Sequence, residues 1–96
     1  MDKERILTLL KQYKKHTAPR YGVVRMGVFG SVARGSSNAA SDIDIVVKLN
    51  RQNLINTIGL KQSLEDFFGV PVDVVNYTEN LSPLLKQRIN KDVIYV

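Results

Sequence analysis

Apolar positions recur along the chain with two periods, and the switches between them mark out the elements. Ile6, Leu7, Leu9, Leu10 and Tyr13 form a broad stripe at helical spacing with Asp2 placed as N-cap, so residues 2–16 are predicted to be helical. The segment from His16 to Gly22 breaks that helix, with Pro19 and Gly22 as punctuation. Residues 23–29 (VVRMGVF) suit a strand that ends at Gly30-Ser31, and a short loop rich in Gly, Ser and Asn covers 35–41. A second strand follows at 42–49 (DIDIVVKL). Helical spacing returns over 52–68 through Leu54, Ile55, Ile58, Leu64, Phe67 and Phe68, and Gly69 stops it. A third strand is predicted at about 70–76 (VPVDVVN). Ser82-Pro83 then reads as N-cap and first helical residue of a helix to about Lys91, before a last short strand at 93–96. No repeat or linker divides this pattern. The order α-β-(α)-β-α-β-α-β predicts one domain over 1–96 of the α/β (α+β) class, a small mixed sheet with helices packed on it.

Composition narrows the possibilities. A hydrophobic content of 44% and a charged content of 24% are those of a globular chain, and 96 residues are enough for one modest core. The absence of cysteine excludes a disulfide framework and a thiolate zinc site, and a single histidine excludes a His-rich metal site. The longest apolar runs are only a few residues, too short to span a membrane. The first ten residues (MDKERILTLL) carry two acids and no long apolar stretch, unlike a secretory signal, so a cytoplasmic domain is expected.

The net charge of +5 is localised. Residues 1–25 hold seven basic and two acidic groups, whereas residues 26–96 hold seven of each. The basic segment reads either as a surface for RNA or an acidic partner, or as a solvated helix face whose lysines complement the helix dipole. No aromatic side chains interleave these charges as a single-strand groove requires.

Three acids stand where strands disfavour them. Asp42 and Asp44 are two apart, so both project from one face of the second strand while Ile43, Ile45 and Val47 face the core. Asp73 interrupts the third strand between Val72 and Val74, and pairing of the two strands would bring three carboxylates to one patch. Two carboxylates about 4 Å apart repel by about 4 kcal/mol at an effective dielectric near 20. Lys48 is the only base on these strands, whereas a divalent cation removes the repulsion, and hard oxygen ligands select Mg²⁺ or Mn²⁺. The plainer alternative is that Asp42 caps the loop and that Asp44 and Asp73 lie on a solvated face. Upstream, Gly30 permits close approach of a phosphate to the backbone, Ser31 adds a hydroxyl donor, and Arg34 offers a guanidinium fork. The spacing is not that of a Walker A loop, and Gly-Ser alone is a common turn.

Together these residues form the pattern G-S-x₁₀-D-x-D with a later strand aspartate. The stretch GSVARGSSNAASDIDIVV resembles the nucleotidyltransferase superfamily that includes polymerase β, and most closely its minimal nucleotidyltransferase (MNT) members. The resemblance implies a polymerase β-like fold in which Gly30 and Ser31 hold the β- and γ-phosphates, with Arg34 as a secondary phosphate contact. It implies that Asp42 and Asp44 bind two Mg²⁺ ions, with Asp73 as a further ligand or the base. The reaction would be attack of a hydroxyl on the α-phosphorus of ATP with release of pyrophosphate. Only 23 residues follow Asp73, so no helical domain is left to hold the acceptor, and a partner is expected to complete the site. Family members of this kind are antitoxins of HEPN-domain ribonuclease toxins. The resemblance therefore implies transfer of AMP to a toxin tyrosine. Other outcomes are a non-catalytic antitoxin, transfer to a small molecule, and an RNA-binding module.

The remaining features have simpler readings. His16 is expected to be an exposed residue at a helix end, and Tyr13, Tyr21, Tyr77 and Tyr95 to be half-buried packing rather than self-modification targets. Phe67 and Phe68 read as core. Leu84, Leu85 and Ile89 read as core too, with a partner interface as the alternative.

Overall fold

The computed structural model describes residues 2–36, 42–50 and 54–96, with the side chains of 54–56 excepted. Helix α1 spans Lys3–His16 and begins as predicted, with the Asp2 carboxylate accepting from the Arg5 N–H at 2.8 Å. A single 3₁₀ turn, Ala18–Tyr21, leads into strand β1, Val23–Phe29. The five-residue helix α2, Gly30–Arg34, follows directly. Strand β2 covers Ile43–Leu49, helix α3 Leu54–Phe68, strand β3 Val72–Asn76, helix α4 Pro83–Asp92 and strand β4 Ile94–Tyr95. The predicted loop at 35–41 and the predicted start of α3 at 52 fall largely outside the described residues. Among the described residues, no helix is long and apolar enough to cross a membrane.

The four strands form one mixed sheet in the order β3-β2-β1-β4. β1 runs antiparallel to β2 and β4, and β2 runs parallel to β3. Both β2 and β3 begin later than their apolar content predicts. Ile43 donates to the Pro71 carbonyl at 3.2 Å, but Pro71 has no N–H to continue the ladder toward Asp42.

Alternation along β2 sorts the sheet into two faces. Ile43, Ile45 and Val47 join the larger core, built with Ile6, Leu10 and Tyr13 of α1 and Leu60, Leu64 and Phe68 of α3. The opposite face holds a smaller core of Phe29, Val46 and Ile89, so α4 covers it. Ser82 caps α4 as predicted, its hydroxyl accepting from the Leu85 N–H at 3.2 Å with Pro83 in the first turn.

Three apolar side chains predicted as core or as part of an apolar stripe are turned outward. Phe67 is 42% exposed beside the buried Phe68, Leu84 is 69% exposed beside Leu85, and Ile58 is 62% exposed two residues from the buried Leu60. Successive helical residues point about 100° apart, so Phe68 enters the core while the Phe67 ring stays at its edge, packed on Tyr13 at 5.3 Å and on Phe68 at 5.1 Å. Leu60, Leu64 and Phe68 repeat every fourth residue and form the true stripe. Tyr13 is fully buried and donates to the Ser63 hydroxyl at 2.9 Å; burial is the main reason its phenol is pushed upward from the ordinary tyrosine range.

Candidate active site

The second face of the sheet is laid out in rows by its register. Phe29, Asp44 and Asp73 are partners across β1, β2 and β3, and the next row is Gly27, Val46 and Val75. The acids therefore stand at one end of the face, immediately beyond the apolar row that α4 covers. Asp44 is half-buried there, whereas Asp73 and Asp42 are exposed, with Asp42 just ahead of β2 rather than within it. The pairing of β2 with β3, on which convergence of the carboxylates depended, is present.

Burial raises the Asp44 carboxyl above the ordinary carboxylate range, and the charges of Asp73 and then Asp42 push it further up. Arg88 and Arg34 pull the other way without reversing the shift. Burial and the neighbouring acids together therefore disfavour the ionised form of the central acid, and a cation among these oxygens would offset both. The donor set, all carboxylate, suits a hard divalent ion. Among the described residues, no three such side chains are already gathered closely enough to make a finished cation cage. Asp42 and Asp73 are exposed.

Gly30 joins β1 to α2 with φ +72°, a left-handed conformation that glycine adopts without penalty. A Cβ at this position would collide with the Asp44 carboxylate. The glycine thus lets the Asp44 carboxylate lie directly against the backbone. Ser31 is the next residue, half-buried in the first turn of α2, so Gly30, Ser31 and Asp44 share one end of the sheet. Arg34 lies one turn further on, where its guanidinium donates to Asp92 of α4 at 2.8 Å. Its predicted contact with phosphate therefore competes with an existing ion pair.

An open groove of about 450 Å³ runs over Asp44 and Asp73, with Lys61 of α3 and Arg88 of α4 on its rim. A smaller cavity of about 160 Å³ adjoins it through Phe29 and Arg88 and reaches Gly30. Neither Arg88 nor Lys61 stands out in the sequence, since each is a lone base on a helix. The signal for Arg88 is its phase, because Leu85, Arg88 and Asp92 follow one another on one face of α4. Lys61 reaches the Val72 carbonyl while Glu65 accepts from the Val72 N–H at 3.1 Å, so α3 clasps the outer edge of β3 one residue before Asp73.

The nucleotidyltransferase domain family matches residues 6–96, nearly the whole chain. The chain belongs to that family. The protein adenylyltransferase MntA of Thermococcus cleftensis is 36% identical over 94 residues, which cover 97% of this chain and 94% of that one. A solved structure described as a candidate minimal nucleotidyltransferase superposes with a TM-score of 0.81 at 35% identity, covering 98% and 95% of the two chains. A tri-AMPylated HEPN toxin of Shewanella oneidensis in complex with its MNT antitoxin shares the fold (TM-score 0.60, 22% identity, 97% and 66% covered). As a nucleotidyltransferase the chain is a transferase, and the mixed sheet with helices is that of the minimal members. His16 is exposed at the end of α1, and Tyr21, Tyr77 and Tyr95 are half-buried as predicted. The Tyr77 hydroxyl accepts from Asn90 at 3.1 Å, and the Tyr95 ring lies under the Arg25 guanidinium.

Proposed function

We propose that this nucleotidyltransferase is an antitoxin that moves AMP from ATP to a hydroxyl, a tyrosine's, on a HEPN-domain ribonuclease toxin. The observation that carries the reading is the in-register pair of Asp44 and Asp73 lining one groove, with Asp44 against the Cβ-free backbone of Gly30. The activity named for the Thermococcus relative and the HEPN partner of the Shewanella structure support the choice of acceptor.

Asp42, Asp44 and Asp73 are the proposed catalytic and metal-binding residues, and Gly30, Ser31 and Arg34 the proposed nucleotide-binding ones. Two Mg²⁺ ions, or Mn²⁺ in their place, would supply charge neutralisation for the triphosphate and acidify the acceptor hydroxyl when held by the three aspartates. Gly30 lets the phosphate chain lie against the backbone beside Asp44, and the Ser31 hydroxyl donates to it. Asp73, exposed at the edge of the sheet, is the carboxylate that an incoming hydroxyl meets, orienting it and taking its proton. The bond formed joins the acceptor oxygen to the α-phosphorus, and the bond broken releases pyrophosphate. Dependence on ATP goes with a cytoplasmic location.

Co-expression with the cognate toxin tests this reading. The wild-type chain is expected to restore growth, and the double variant Asp42→Asn/Asp44→Asn, folded to the same extent, is expected to fail. Full neutralisation by the folded double variant would instead mean that binding alone silences the toxin.

A further inference from the structure

The small cavity beside Gly30 carries more positive charge than the proposed roles use. Arg34 comes from α2, Arg88 and Lys91 come from α4, and Asp92 is the one acid among its lining residues. Three cations against one carboxylate leave an excess of two charges around about 160 Å³. Residues 88, 91 and 92 are spaced three and four apart, which puts all three on one face of α4, turned to α2. Among the described residues neither Arg88 nor Lys91 is engaged in an ion pair, and both are exposed. The cavity shares Phe29 and Arg88 with the groove that runs over Asp44 and Asp73, so it adjoins the proposed reaction centre.

Asp92 sits differently. Its side chain is only 15% exposed, and it accepts from the Arg34 guanidinium at 2.8 Å. A carboxylate with two acceptor oxygens presents to a guanidinium what a phosphate presents. It therefore occupies Arg34 in the absence of a phosphate.

The geometry points to a polyphosphate clamp shared by α2 and α4. Arg34, Arg88 and Lys91 hold the β- and γ-phosphates of the donor and then the departing pyrophosphate, and Asp92 keeps Arg34 until a phosphate displaces it. This clamp rests on the nucleotidyl-transfer reading and assigns half of the donor site to the helix that also covers the second face of the sheet.

Calorimetric titration of inorganic pyrophosphate, with AMP as control, into the wild type and three variants in Mg²⁺ buffer tests it. Hydrogen bonds to charged groups lead us to expect Arg88→Ala to weaken pyrophosphate binding about tenfold or more, and Lys91→Ala several-fold. Asp92→Asn frees Arg34 and is expected to tighten it about two- to fivefold, the worth of an exposed ion pair. AMP affinity should hold within about twofold throughout, because AMP lacks the groups the clamp holds. Wild-type pyrophosphate affinity in both Arg88→Ala and Lys91→Ala, verified as folded by their unfolding curves, would overturn the clamp. Weaker binding by Asp92→Asn would overturn the displacement step. A chain that clamps pyrophosphate as described but transfers no nucleotide keeps the clamp and loses the transfer reading. One that transfers AMP with an unchanged KM for ATP in Arg88→Ala and Lys91→Ala loses the clamp and keeps the transfer.

Discussion

Removing the charge of Asp44 should make the metal-free protein more stable. Adjacent strands lie about 4.8 Å apart, and Asp44 and Asp73 are in register on them. Two unit charges about 5 Å apart repel by about 3.3 kcal/mol at an effective dielectric of 20. Asp73 is exposed, so water screens the pair, and an effective dielectric nearer 60 leaves about 1 kcal/mol. Burial adds to the penalty on the ionised form, and although Arg88 and Arg34 offset part of it, the Asp44 carboxyl remains raised. Asparagine keeps the shape and drops the charge, so Asp44→Asn should gain about 1 kcal/mol and about 4 °C in Tm at neutral pH. The pH dependence follows from the direction of the shift. A carboxyl that titrates higher in the folded than in the unfolded chain destabilises the fold wherever it is ionised in both. That penalty is complete above the folded pKa and fades as pH falls through it toward the ordinary aspartate value. Thermal unfolding in EDTA at neutral pH and at about pH 3 should show the two proteins diverging at the first and converging at the second. A variant less stable than wild type at neutral pH, or a gain of equal size at both, would refute the electrostatic account.

Further expectations concern the same residues and their support. Saturating Mg²⁺, at about a hundred times its Kd, should stabilise the wild type by about 2.7 kcal/mol and leave Asp42→Asn/Asp44→Asn unmoved, as read by melting curves. Gly30→Ala forces a left-handed backbone on alanine and drives its Cβ into the Asp44 carboxylate, so urea unfolding should register a loss of about 1–2 kcal/mol. ATP titration of the same variant should show affinity falling by more than that loss explains. Ile89→Ala, at the fully buried position of α4 itself, should cost about 2–5 kcal/mol, whereas Leu84→Ala, at an outward-facing one, should stay within about 0.5 kcal/mol.

The acids were legible because their chemistry conflicts with their setting. Asp44 and Asp73 interrupt apolar strands, with Asp42 just ahead of the first, and a period of two fixes Asp44 opposite Ile43 and Ile45 before any fold is known. What periodicity cannot supply is register, and the Asp44–Asp73 pairing was legible only on the condition that β2 and β3 adjoin. Helix caps were equally readable, since Asp2 and Ser82 satisfy backbone groups within three residues. Helix faces are less legible. Phe67, Leu84 and Ile58 are as apolar as their buried neighbours, and only packing decides which member of such a pair turns inward. Arg88 and Asp92 were invisible as site residues because their meaning lies in α2, more than fifty positions away. The local position of Arg34 predicts a phosphate contact, but its present partner is set by the tertiary contact with α4. The start of β2 moved by one residue for the lack of a single N–H on Pro71.

The central claim is nucleotidyl transfer by the Asp42, Asp44 and Asp73 site. ATP labelled with ³²P at its α-phosphate, incubated with Mg²⁺ and host-cell proteins beside wild type and the double variant, tests it most directly. The account predicts one labelled protein band that requires Mg²⁺, appears with the wild type and vanishes with Asp42→Asn/Asp44→Asn. A stable complex with that partner and no label from any of the four nucleotides would contradict it and make the three acids a remnant.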